Sequence, residues 1–129
     1  MRQLRISALA RVFGGGPAHA ASRHWVAQRF SAIALVPLTI WFLVSLLLLP
    51  DMAYATVHAW VARPLPAALL CLLVVFLFWH SRLGVEEVVA DYVRPPRLHA
   101  ATLLLSTLLH VLAGAAALLA VLRMALGNA

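Results

Sequence analysis

The sequence predicts an all-α integral membrane protein of three transmembrane helices, with its N-terminus cytoplasmic and its C-terminus periplasmic. Three observations lead there: composition, three apolar runs of bilayer length, and the placement of the arginines. The 129 residues are 64% hydrophobic and 11% charged, with a mean hydropathy of +0.96, against about 25% charged in a soluble domain. A chain so short and apolar cannot cover its surface with polar groups, so lipid is its solvent. Its ten basic residues are all arginine, and its four acids are Asp51, Glu86, Glu87 and Asp91. In a membrane chain such a balance reports orientation, and nucleic-acid binding is not expected. The single Cys71 can form neither an internal disulfide nor a multi-cysteine metal site.

The first span is Phe30 to Leu49, FSAIALVPLTIWFLVSLLLL, twenty residues without a charge. At about 1.5 Å per residue it matches a hydrocarbon core of about 30 Å. Thirteen of the twenty are Leu, Ile, Val or Phe, each favouring insertion by roughly 0.3–0.6 kcal/mol, so the run tolerates Pro37. A kink is expected at that proline, its freed carbonyl satisfied by a neighbour or by local adjustment. Pro50-Asp51 stops the span. The next stretch, DMAYATVHAWVARP, mixes Tyr54, His58 and Trp60 with small residues, as suits a short interfacial segment.

A second charge-free run extends from Leu65 to Ser81, and the helix-forming residues after it carry the helix to about Tyr92. Arg94-Pro95-Pro96-Arg97 ends it. The third run, Leu98 to Leu122, has His99 and His110 as its only ionisable groups, and Arg123 marks its far end. The spans are thus about 30–49, 65–92 and 98–122. Residues 1–29 form a cytoplasmic arm, and residues 30–129 a three-helix membrane domain.

Orientation follows from counting arginines. Residues 1–29 carry five, residues 82–97 three, residues 50–64 one and the C-terminal tail one. Eight against two puts the N-terminus and the second loop in the cytoplasm. The basic, acid-free arm and its Ala-His-Ala-Ala at 18–21 also suit a transit peptide with a cleavage site, but no apolar stretch precedes that site, so the arm is expected to be retained.

Chemistry concentrates in HSRLGVEEVVADYVRPP, from His80 onward. Ionisable groups inside a span are functional candidates by default. At about 100° per residue, Gly84, Glu87 and Asp91 fall within about 40° of His80, so the four share one helical face, and Tyr92 lies about 120° away. That face offers an imidazole in apolar surroundings and a glycine one turn on that admits a large planar group or another helix. Carboxylates follow at its cytoplasmic end. A haem or quinone pocket needs this layout. Each element also has a plainer explanation: a hydrogen-bonding histidine, a packing glycine, a solvated helix end, and an Arg82 that snorkels to the interface. His110 and His58 are read as structural or interfacial.

His80-x3-Gly84 followed by Asp91-Tyr92-Val93 resembles the signature of the small hydrophobic membrane-anchor subunits of succinate dehydrogenase (succinate:quinone oxidoreductase). Trp25-x2-Gln28-Arg29-x-Ser31-Ala32-Ile33-Ala34-Leu35-x-Pro37-Leu38 is similar to the start of the first helix in proteobacterial members. The resemblance covers Trp25 to about Pro95. It implies that His80 supplies one axial ligand of a haem b lying between two anchor subunits. A single histidine cannot complete a six-coordinate electron-transfer haem, so the other ligand comes from the companion anchor. It further implies that Asp91 and Tyr92 lie by a ubiquinone headgroup near the cytoplasmic surface, where a phenol can donate to a quinone carbonyl. Arg29 and Arg82 would pair with haem propionates or the quinone pocket. The implied partners are the companion cytochrome b556 anchor of succinate dehydrogenase, its iron–sulfur protein and its flavoprotein, in a bacterial inner membrane, with no succinate chemistry in this chain. Two positions depart from the pattern: Glu86 stands where many members have Gln, and Ala90 where many have Glu, so no particular glutamate carries over as a proton carrier.

Two rival readings remain. A small ion-coupled transporter would use His80, Glu86 and Glu87 as a proton relay. A haem-free structural anchor would keep His80 hydrogen-bonded within the bundle.

Overall fold

The structure is a computed structural model that describes the backbone of residues 17–127 and the side chains of residues 22–127. Arg2, Arg5, Arg11 and the side chains of the Ala-His-Ala-Ala stretch lie outside the described residues. The described chain is all-helical: α1 (Pro17–Leu47), α2 (Tyr54–Val61), α3 (Pro64–Tyr92) and α4 (Pro96–Ala125). Three segments are long and apolar enough to span a bilayer: Ser22–Leu47, Pro64–Tyr92 and Pro96–Ala125. The first helix therefore begins well before the charge-free run, carrying Arg23, His24 and Arg29 on its early turns.

Local chemistry sets the ends. Both α3 and α4 open on a proline, whose missing N–H is no loss in a first turn, after an extended residue, Arg63 or Pro95. Between α1 and α2, the Asp51 carboxylate accepts the Ala53 N–H at 3.1 Å. Helix α4 closes at Gly127, whose φ of 73° is left-handed and whose N–H reaches the Met124 carbonyl at 3.3 Å. Pro37 sits inside an uninterrupted α1. In lipid the carbonyl it leaves unpaired is tolerated because local adjustment can satisfy it.

Contacts between helices run in opposite numerical order, His24 with Glu87 and Ser31 with His80, so α1 and α3 are antiparallel. Ser81 with His110 and Phe78 with Gly114 make α3 and α4 antiparallel in turn. Helix α3 packs on both neighbours, while α1 and α4 make no close backbone approach among the described residues. The short α2 folds back over the end of this layer. Its Trp60 and Val61 join Leu70 in a small core, with Trp41, Phe42, Leu73 and Val121 around it. The Trp41 and Trp60 rings stack at 5.9 Å. Elsewhere large apolar side chains face outward, as a lipid-solvated chain allows.

Candidate functional site

The α1–α3 seam carries a row of polar residues, with Ser31, Gln28 and His24 facing His80, Gly84 and Glu87. Ser31, on α1, is fully buried. Its Oγ lies 2.9 Å from His80 Nδ1 and 3.0 Å from the Gln28 carbonyl of its own helix. One turn along, the face of Gly84 meets the Gln28 side chain, where an added Cβ would lie 3.8 Å from Nε2, an ordinary contact. A further turn on, His24 Nε2 lies 3.3 Å from Glu87 Oε1, and Nδ1 lies 3.7 Å from Glu86 Oε2. His24, Gln28 and Ser31 thus repeat the four-three spacing of His80, Gly84 and Glu87 in the opposite direction. Two helices facing each other at this spacing keep the same face in contact over two turns.

His80 and His110 are used differently. His110 Nδ1 lies 2.7 Å from the Ser106 carbonyl and His110 Nε2 3.1 Å from Ser81 Oγ, so both ring nitrogens are engaged by the chain itself. His80 is half-buried and held at Nδ1 alone; among the described residues Nε2 has no hydrogen-bond partner. Three polar atoms are enclosed without a hydrogen bond among the described residues, His24 Nε2, Gln28 Oε1 and His58 Nε2, two of them on the seam.

At the end of the layer where α1 starts and α3 ends, a cleft of about 470 Å³ opens among α1, α3 and α4. His24, Glu86, Glu87, Asp91 and His99 line it. His99 is itself tied to the Val93 carbonyl at 3.2 Å. Of the remaining predicted residues, Arg82 donates from Nε to Glu86 Oε1 at 2.7 Å, one turn away on the same helix. Arg29 stacks over Trp25, its guanidinium carbon 5.4 Å from the ring centroid. Tyr92 is 81% exposed and does not line the cleft. The geometry therefore joins His80, Gly84 and Glu87 on one seam and brings Asp91 into the adjoining cleft. Arg29 and Tyr92 face outward.

The family model for the succinate dehydrogenase/fumarate reductase transmembrane subunit matches residues 3–122. The chain belongs to that family. A succinate dehydrogenase hydrophobic membrane anchor subunit from Rickettsia bellii (strain RML369-C) is 31% identical over 78 residues, 60% of this chain. The match spans 62% of the length of that relative. With its three spanning helices, this member of the transmembrane-subunit family is a multi-pass membrane protein.

Three seam residues of this family member escape a reading based on α3 alone: His24, Gln28 and Ser31. The signal available was their spacing on α1, which puts them within about 60° of one another. That spacing is invisible as chemistry until α3 is laid against it, because Ser and Gln in a membrane helix commonly serve packing.

Proposed function

We propose that the chain anchors a succinate-oxidising flavoprotein and iron–sulfur pair to a bacterial inner membrane, and that with a companion cytochrome b556 anchor it forms a haem b site and a ubiquinone-reduction site. The observation that carries this reading is His80: an imidazole in a membrane span, held at Nδ1, with Nε2 unbonded among the described residues, in a chain of this family. The donor set fits a shared haem. His80 Nε2 would hold the haem from this chain, and the companion anchor would supply the second ligand. When bound, the haem supplies a one-electron carrier within the membrane.

The chain's own residues have the following parts. His80 would hold the haem through Nε2, with its ring oriented through Nδ1. Tyr92, with its side chain exposed, donates its phenolic proton to a carbonyl of the quinone substrate. Asp91 and the cleft it lines bring water and titratable groups to the end of α3, where quinone reduction consumes protons. Five arginines in residues 1–29 and three in residues 82–97 support a cytoplasmic placement of that end, the side on which the soluble subunits would dock.

The test is a dithionite-reduced optical spectrum of the purified complex, beside its succinate:quinone reductase activity. A b-type α band that disappears in His80→Ala, and a loss of reductase activity in Tyr92→Phe with the band intact, is the expected result. An unchanged band in His80→Ala sinks the ligand assignment. Unchanged activity in Tyr92→Phe sinks the quinone assignment.

A further inference from the structure

We propose that Ser31 is the positioning residue for the haem ligand: it fixes His80 as the Nδ1–H tautomer and so presents Nε2 as the free donor. This inference rests on the reading of His80 as an axial ligand. It follows from a count of protons. Ser31 is fully buried, and its hydroxyl has one proton to share between two neighbours, the Gln28 carbonyl at 3.0 Å and His80 Nδ1 at 2.9 Å. The carbonyl has no proton of its own, so that contact is made only if the hydroxyl donates to it. Oγ then meets Nδ1 as an acceptor, and the ring proton must sit on Nδ1.

The opposite assignment, with the hydroxyl donating to Nδ1, sets two oxygens 3.0 Å apart with no proton between them. In a fully buried position such an unpaired contact is costly. The same count applies to His110, whose Nδ1 faces the Ser106 carbonyl at 2.7 Å and must carry its proton, leaving Nε2 to accept from Ser81. His80 and His110 therefore share one tautomer. The lone pair of His110 is consumed by Ser81, and that of His80 is left for a ligand from outside the chain. A hydrogen bond from the distal N–H is the usual companion of a metal-bound imidazole, fixing the ring and raising its basicity. Ser31 supplies that acceptor from the neighbouring helix, and the Gln28 carbonyl decides its direction.

The test compares Ser31→Thr, Ser31→Val and Ser31→Ala in the assembled membrane complex, with haem counted per assembled complex. Thr and Val have nearly the same shape and differ in the hydroxyl. The Val and Ala complexes are expected to release haem about 10–100-fold more readily, and their reduced haem to bind carbon monoxide with a shifted midpoint potential. The Thr complex should behave as the unaltered one. Haem properties that are the same in Thr and Val, whether both normal or both lost, overturn the proposal, because the hydroxyl is then not the determinant. Should the hydroxyl-free variants not assemble, the ¹⁵N shifts of His80 in the reduced, unaltered complex decide it: a protonated Nδ1 is expected, and a bare Nδ1 overturns the assignment. His80→Ala separates the two levels. If it keeps a six-coordinate haem, the ligand reading fails; if it loses one while Ser31→Val keeps its haem and potential, only the role of Ser31 fails.

Discussion

Ser81 Oγ and His110 Nε2 lie 3.1 Å apart across the α3–α4 interface, one residue along α3 from the His80 that Ser31 holds on the α1 side. Adjacent residues on a helix project about 100° apart, so α3 uses one hydroxyl–imidazole pair on each flank. The pair on the α4 side is closed. Ser81→Ala should therefore leave the haem spectrum unchanged and lower the resistance of the protein to denaturing detergent by about 0.6 kcal/mol, and by no more than about 1.7 kcal/mol. His110→Leu should do the same. Loss of the b-type band in either variant would contradict the division of labour between the two histidines.

Gly114 on α4 faces Phe78, and an added Cβ would lie 3.4 Å from Phe78 Cγ. A methyl group fits with a small shift of the ring, whereas a longer side chain has to part the helices. Gly114→Ala is expected to assemble normally, and Gly114→Leu to reduce the yield of complex. Phe78→Ala combined with Gly114→Leu should recover part of that yield, measured on native gels. Overpacking of this kind typically costs about 1–3 kcal/mol.

Trp60 is 8% exposed and is the anchor of α2. Replacing it with Ala removes the ring that stacks on Trp41 and tilts against Phe42, a loss of about 3–5 kcal/mol for a buried tryptophan. The expected result is a detached α2: protease cuts between α1 and α3 in sealed vesicles, where the unaltered chain resists. The haem band should persist, because the Ser31–His80 contact lies elsewhere along α3.

The Asp51 carboxyl is held below its usual 3.8 by a hydrogen bond from the Thr56 side chain and a second from the Ala53 N–H. A depressed carboxyl contributes stability that is present above its unfolded pKa and lost as pH falls through the lower, folded value. The gap in melting temperature between the unaltered complex and Asp51→Ala should be constant from pH 7 to about pH 5 and close below about pH 4. A gap that is the same at pH 3 would show that the carboxylate charge plays no part.

The spans were legible because a bilayer imposes length and apolarity on a contiguous stretch, and both properties are written in local sequence. Pro64 and Pro96, the first residues of α3 and α4, lie one and two residues ahead of the apolar runs that mark those spans. The interfacial segment around Trp60 was legible as a segment but not as a helix packed on Trp41, because a contact between residues nineteen positions apart depends on how the chain turns at Pro50-Asp51. His80 stood out as an ionisable group in a span. Its partner did not, since Ser31 acquires its role only from the antiparallel register of α1 and α3. Arg82 stood out as a charge at the end of a span, and its guanidinium meets Glu86 one turn away on the same helix. Such i,i+4 pairs form at little cost wherever the residues allow.

The close backbone contacts among the three spanning helices join consecutive spans, α1 with α3 and α3 with α4. Synthesis proceeds from the N-terminus, which gives the two hydroxyl–imidazole pairs different histories. When the ribosome delivers His80 to the bilayer, Ser31 is already there to receive it, whereas Ser81 enters without its acceptor and waits for His110. The ring that needs a defined proton position is set first, by an element made earlier, and its readiness does not depend on the last helix being translated.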